Sequence, residues 1–136
     1  NETMRWESQA RFWAEISKVC QKSPAIFCYD LMNEPIIGGA DPQAGWLAGE
    51  LGGKHFVQRI TLTPGERSRE EIAKAWIERL TKSIRNVDQR TMITVGAIPW
   101  AHTWPNAKPL FHDPVVGKPL DFVAVHFYPK KGDRPA

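Results

Sequence analysis

Three short runs of apolar residues set the tightest limit on how this chain can fold. They are Ala25 to Met32, Met92 to Ile98 and Asp121 to Phe127. Each is short for a helix, and none alternates cleanly between polar and apolar residues as a strand wetted on one face would. The pattern predicts strands buried on both faces, as in parallel sheets. Parallel neighbours need crossover connections, usually helical and right-handed. The sequence supplies one. Ile72, Trp76, Ile77, Leu80, Ile84 and Val87 form one apolar stripe at helical spacing. Ser68-Arg-Glu-Glu71 ahead of it fits a capping box, with Ser68 as the cap and Glu71 reaching back. A helix is predicted from there to about Asn86.

A second helix is predicted from about Thr3 to Gln21, ending before Ser23-Pro24. Its apolar stripe is Phe12, Trp13, Ile16, Val19 and Cys20, with Arg11, Glu15, Lys18 and Lys22 opposite. From Ile36 to Arg67 no period holds, and Gly38, Gly39, Gly45, Gly49, Gly52 and Gly53 punctuate the segment. A loop of about 30 residues is rare in a compact domain unless it has a task. His55 to Leu62 is a candidate extended piece within it. Pro99, Trp100, Trp104, Pro105, Pro109 and Pro114 keep the link to the last strand irregular, with a short helix expected near Pro109 to Val116.

The order implies an α/β architecture of about three parallel strands with flanking helices. Three such strands leave unpaired edges. A full (β/α)8 barrel takes about 250 residues, and this chain has 136. The expected fold is therefore a partial (β/α)8 TIM barrel, residues 1–136 being a fragment of a single domain. The N-terminus starts inside a helical pattern, as if cut from a longer chain. In isolation such a fragment should aggregate or dissolve poorly, because its sheet edges are apolar.

Composition narrows the partners. The net charge is +3, from 18 basic and 15 acidic residues that are spread along the chain. No tract interleaves basic and aromatic residues, so no nucleic-acid partner is expected. No window approaches the roughly 18 apolar residues of a membrane span. No signal peptide stands at the N-terminus, which leaves the compartment open and a secreted parent compatible. Cys20 and Cys28 make no disulfide framework and read as small buried hydrophobes. No zinc or calcium spacing and no phosphate-loop ending occurs, so no metal and no cofactor is expected. Oligomeric state is not encoded in any pattern of this length.

The chemistry gathers at two strand ends. Asn33-Glu34-Pro35 ends the first run, and His126 and Tyr128 end the third. In α/β barrels the C-terminal strand ends carry the reacting groups. His126 and Tyr128 are two apart and share a face of an extended segment. A carboxylic acid, an amide, an imidazole and a phenol suit proton transfer to an oxygen leaving group. Glycosidic cleavage needs such an acid, and a second carboxylate to meet the cationic sugar carbon. An ordinary Glu has a pKa of about 4.3, so a Glu acting as acid near neutral pH needs burial or nearby negative charge to raise it. Pro35 should bias Glu34 toward extended backbone. Strict alternation would send Asn33 and Glu34 to opposite faces, so the strand must end or twist between them to bring both to one cleft. Trp100, just past the second strand, is the leading platform for a flat sugar ring. Trp104 and Trp46 are weaker candidates, and His55 and His102 sit in loops on or near that rim. Trp13 and Trp76 lie on helix stripes and belong to the core. The plainer alternative is a polar turn at Asn33-Glu34-Pro35 and a core His beside an amphipathic Tyr.

Two motifs together favour the chemical reading. Tyr29-Asp-Leu-Met-Asn-Glu-Pro35 and Asp121-Phe-Val-Ala-Val-His-Phe-Tyr-Pro129 resemble the fourth and sixth barrel strands of glycoside hydrolase clan A. Family 5, the cellulase family, is closest in pattern, and the resemblance runs from about Phe12 to Pro129. It implies a retaining hydrolase acting on β-linked polysaccharide, with cellulose-type β-1,4-glucan the first substrate expected and mannan the second. By resemblance Glu34 is the general acid/base, Asn33 contacts the sugar 2-hydroxyl, and His126 and Tyr128 line the cleft, the Tyr bonding to the nucleophile. The family's nucleophile is a Glu ending the seventh strand, and no Glu follows Tyr128 here. The expectation is a fragment inactive by itself. A degenerate barrel that binds carbohydrate without cleaving it is the alternative.

Overall fold

The computed structural model describes residues 2–37, 50–51, 54–55, 58–98, 110–126, 128 and 132. Helix α1 (Glu2–Cys20) leads into strand β1 (Cys28–Asn33). A two-residue antiparallel pair follows, β2 (Glu50–Leu51) with β3 (Lys54–His55). Then come helix α2 (Arg69–Arg85), strand β4 (Met92–Ala97), a 3-10 turn (Leu110–His112) and strand β5 (Ala124–Val125).

β1, β4 and β5 form one sheet in the order β1-β4-β5, and both pairings are parallel. This is the α/β arrangement expected of part of a (β/α)8 barrel, with crossover segments returning each strand to the same end. β1 starts three residues later than its apolar run, at Cys28. β5 is shorter than its run because part of the parallel ladder is replaced by side chains. The Ile93 N–H donates to the Asp121 carboxylate at 2.7 Å, and the Thr94 hydroxyl donates to the Phe122 carbonyl at 2.9 Å. Of the expected short helix near Pro109, only the 3-10 turn forms.

α2 follows the sequence closely. Ser68 caps it and the capping box closes in both directions, Glu71 N–H to Ser68 Oγ and Ser68 N–H to the Glu71 carboxylate. Asn86 caps the other end. Ile72, Trp76, Ile77, Leu80 and Ile84 are all buried. They pack with Tyr29 and Leu31 of β1 and Ile93 and Val95 of β4, which face the helix layer. The Trp76 ring meets Phe111 edge-on at 6.2 Å, and its indole N–H donates to Gln9. A buried side chain of this size contributes about 1.5–3 kcal/mol or more to stability.

α1 departs from its expected face. Phe12 and Val19 are 57% and 82% exposed, while Ala10 and Ser17 are buried and Trp6, Trp13, Ile16 and Cys20 pack at the core margin. The seam that meets α2 and the sheet is thus Trp6-Ala10-Trp13-Ser17-Cys20. Small residues occupy its centre because α2 comes close there, where Ser83 Oγ donates to the Ala10 carbonyl at 2.7 Å. Ser17 is satisfied within its own helix by the Trp13 carbonyl. Cys20 and Cys28 are free thiols and only half-buried, not the buried hydrophobes expected. Burial, with some help from the Asp30 charge, pushes the Cys28 thiol up from its ordinary pKa.

The segment after β1 is tied back to the sheet. Ile36 bridges Arg59 in parallel, and Ile36 and Gln58 to Ile60 exchange main-chain bonds of 2.8 and 3.0 Å. Ile60 is buried and its carbonyl accepts the Trp6 indole N–H. Of the extended piece expected from His55 to Leu62, the described residues show His55 paired within β3 and the bridge at Arg59, while residues 56–57 lie outside the described residues. Val123, just before β5, and Val125 within it are 53% and 52% exposed.

Candidate active site

Glu34 follows β1 directly and His126 follows β5 directly. Both stand at the C-terminal ends of parallel strands. Those strands are not neighbours, because β4 lies between them. The two side chains nevertheless meet, His126 Nδ1 lying 2.9 Å from Glu34 Oε1. Their side chains are 23% and 18% exposed, so the pair is sheltered yet open to a solute.

Gly96 of β4 makes the meeting possible. Two strand spacings separate β1 from β5, about 9–10 Å, and the imidazole crosses that gap over the middle strand. A Cβ placed on Gly96 would stand 2.6 Å from His126 Nε2 and 2.8 Å from Asp30 Oδ2. A side chain at this position would force the imidazole and the Asp30 carboxylate to move, and glycine leaves the ring its room. Gly96 also anchors the other partner, its carbonyl accepting the Glu34 N–H at 2.8 Å.

Asp30 completes the arrangement. The β1–β4 register runs Asp30 with Thr94, then shifts so that Asn33 pairs with Gly96. Across this bulge the Gly96 N–H donates to the Asp30 carboxylate at 2.9 Å. A side chain thus stands in for a main-chain acceptor. Asp30 points away from the helix layer, on the face opposite buried Tyr29 and Leu31.

The bulge and the residue after it answer the alternation problem at Asn33-Glu34, though not as expected. Glu34 has φ +50°, in the left-handed region, where an extended backbone was anticipated. Proline disfavours the right-handed helical region for the residue before it, and the main-chain bond to Gly96 holds Glu34 in the left-handed one. This costs about 1–2 kcal/mol for a residue with a Cβ. Asn33 is exposed, and its carbonyl accepts from Gln58 Nε2 at 3.1 Å.

Of the sequence-derived site residues, the structure brings together Glu34 and His126. Tyr128 is described and is 75% exposed. Trp100 lies outside the described residues, as do Trp46, Trp104 and His102; of His55 only the strand pairing is described. Asp30 and Gly96 were not singled out from the sequence. An acidic residue inside an apolar strand was the available signal for Asp30, and nothing local marks Gly96. Among the described residues no group of three or more His, Cys, Asp or Glu side chains is placed to hold a metal ion. A shallow cavity of about 240 Å³ lined by Phe111, His112, Lys118 and Asp121 opens near the start of β5, away from the Glu34 end of the sheet.

Comparison with curated proteins gives no match, and neither does comparison with solved structures. The family model described as cellulase (glycosyl hydrolase family 5) matches residues 2–134, nearly the whole chain. The parallel sheet agrees with that match, and the chain belongs to glycosyl hydrolase family 5, the cellulase family of glycoside hydrolases.

Proposed function

We propose that residues 1–136 form part of the catalytic barrel of a retaining glycoside hydrolase that cleaves β-linked polysaccharide, cellulose-type β-1,4-glucan first among them. The observation that carries this reading is the sheltered Glu34–His126 pair at the C-terminal end of parallel strands, 2.9 Å apart.

In this reading Glu34 gives its proton to the glycosidic oxygen as the bond from the sugar carbon breaks. A second carboxylate attacks that carbon from the other face and forms a glycosyl ester. Ionised Glu34 then takes a proton from water, the water oxygen attacks the carbon, and the ester is released. Such carboxyl groups stand about 5–5.5 Å apart. Asp30 does not fill the second role, because its carboxylate accepts from the Gly96 N–H and lies on the Nε2 side of the imidazole. The nucleophile is assigned to polypeptide other than residues 1–136, and the isolated chain is expected to be inactive. Asn33 is assigned to the sugar 2-hydroxyl, Tyr128 and His126 to the cleft wall, and Trp100 to a stacking platform.

Glu34→Gln in the full-length enzyme tests the reading. The amide keeps the shape and loses the transferable proton. Turnover should fall by about 10²–10⁴ while oligosaccharide binding persists. Full turnover in this variant would remove Glu34 from the acid/base role.

A further inference from the structure

We propose that Asp30 and Gly96 are positioning residues for the acid/base pair, Gly96 by leaving room for the imidazole and Asp30 by selecting its tautomer. The proposal rests on the reading of Glu34 as the acid/base.

The geometry converges on one point. His126 Nε2 and Asp30 Oδ2 both border the space of a single methyl group above Gly96. Glu34 holds the other ring nitrogen. A neutral imidazole carries one N–H, and the partner of one nitrogen decides the role of the other. The Asp30 carboxylate makes no hydrogen bond or ion pair with the ring, but its negative charge borders the same space and favours the proton on Nε2. Nδ1 then presents a lone pair, and the contact at 2.9 Å becomes a hydrogen bond donated by the protonated Glu34 carboxyl group. The opposite tautomer would turn the Nε2 lone pair toward the space that the negative Asp30 carboxylate borders. Asp30 therefore holds the pair in the form in which Glu34 carries the proton that the first step consumes.

Two further features fit the assignment. Asp30 is exposed but tethered, since Oδ1 accepts the Gly96 N–H and Oδ2 borders the space that the ring also borders. Gly96 has no left-handed φ, so its lack of a side chain answers to the space above it and not to its backbone. Glu34 from the end of β1 and Asp30 from within it are the charged groups that the described structure brings to the imidazole. β4 contributes Gly96 there, and Tyr128, next on the same strand face, is solvent-exposed.

The test is Asp30→Asn in the full-length enzyme. The amide oxygen still accepts the Gly96 N–H, so the bulge survives and the charge goes. The expected result is a fall in kcat of about tenfold or more with KM little changed. Nitrogen NMR of His126 should show the Nε2–H tautomer in the parent and a mixture in the variant. An unchanged kcat and an unchanged tautomer in the variant would overturn the proposal. Gly96→Ala is the second arm. It should lower kcat in the parent and cost less in a His126→Ala background, where the ring is absent; equal costs in both backgrounds would refute the seat assigned to Gly96. An inactive Glu34→Gln beside unaffected Asp30→Asn and Gly96→Ala variants would reject this proposal alone. A fully active Glu34→Gln would reject the acid/base reading beneath it.

Discussion

Glu34 and His126 leave two strands that never touch, yet their side chains meet at 2.9 Å across the glycine of the strand between them. A side-chain pair of this kind depends on the middle strand as much as on its own two residues. It also explains why Glu34 accepts an unfavourable backbone angle. The Glu34 N–H bonds to the Gly96 carbonyl, and the chain must turn sharply there to aim the carboxyl group across the sheet.

That strain is measurable. Glu34→Ala and Glu34→Gly both delete the carboxyl group, but only glycine relieves the φ of +50°. Glu34→Gly should be more stable than Glu34→Ala by about 1 kcal/mol in urea or thermal unfolding. Equal stabilities would show that the left-handed turn stores no strain.

Asp88 should make stability depend on acid. It is buried, which pushes its pKa up, but the Thr91 hydroxyl, the Arg90 and Thr91 amides and the Tyr29 hydroxyl all donate to it and together hold it well below the ordinary carboxylate value of 3.8. A carboxyl group depressed in the folded state stabilises the fold above its unfolded pKa and loses that contribution as pH falls through the folded value. Unfolding free energy should therefore drop as pH is lowered below about 4. Asp88→Asn should cost on the order of 2–3 kcal/mol at neutral pH and flatten the acid dependence. An acid profile with the same slope in the variant would place the effect elsewhere. The Glu7–Arg79 and Glu2–Arg67 pairs also hold their carboxylates low, but they stand at the surface, where solvent screening leaves such pairs little weight.

The cap of α2 should be worth a kilocalorie. Ser68→Ala removes the acceptor for the Glu71 N–H and breaks the capping box. The expected loss is about 1 kcal/mol. Ser68→Asp should restore most of it, since a carboxylate at a helix N-terminus accepts the same bond and suits the helix dipole. No change in either variant would mean that the first turn frays in solution.

Val123 and Val125 should govern solubility of the isolated chain. Both are half-exposed, Val123 just before the short strand β5 and Val125 within it, and β5 pairs only with β4 among the described residues. Such an edge invites association with another chain. Val123→Lys with Val125→Lys should raise the soluble, monomeric fraction of the 136-residue polypeptide on size exclusion. A sharp, reversible melt of the unmodified monomer would contradict the expectation.

Much of this was open to a reader of the residues alone, and the exceptions have physical causes. α2 was legible to within a residue because its capping box and its stripe are local, each made by side chains three or four positions apart. The strand ends at Glu34 and His126 were legible because an apolar run stops at a polar group. α1 misled at Phe12 and Val19, since helical spacing marks a stripe but not which edge of it the neighbouring helix covers. The close approach of α2 at Ala10 and Ser17 moved the contact toward the small residues.

Residue order by itself determined the two helices, the three strands of the parallel sheet and their sequence along the chain, the family and the two strand ends that carry polar groups, but not the short β2–β3 pair. Those features arise from neighbours along the chain, where propensity and periodicity act. It did not determine that β4 would separate β1 from β5, that the register would slip between Asp30 and Asn33, or that Asp30, Gly96 and His126 would share one small space. These belong to the assembled sheet, because each depends on hydrogen bonds and steric room contributed by strands dozens of residues apart.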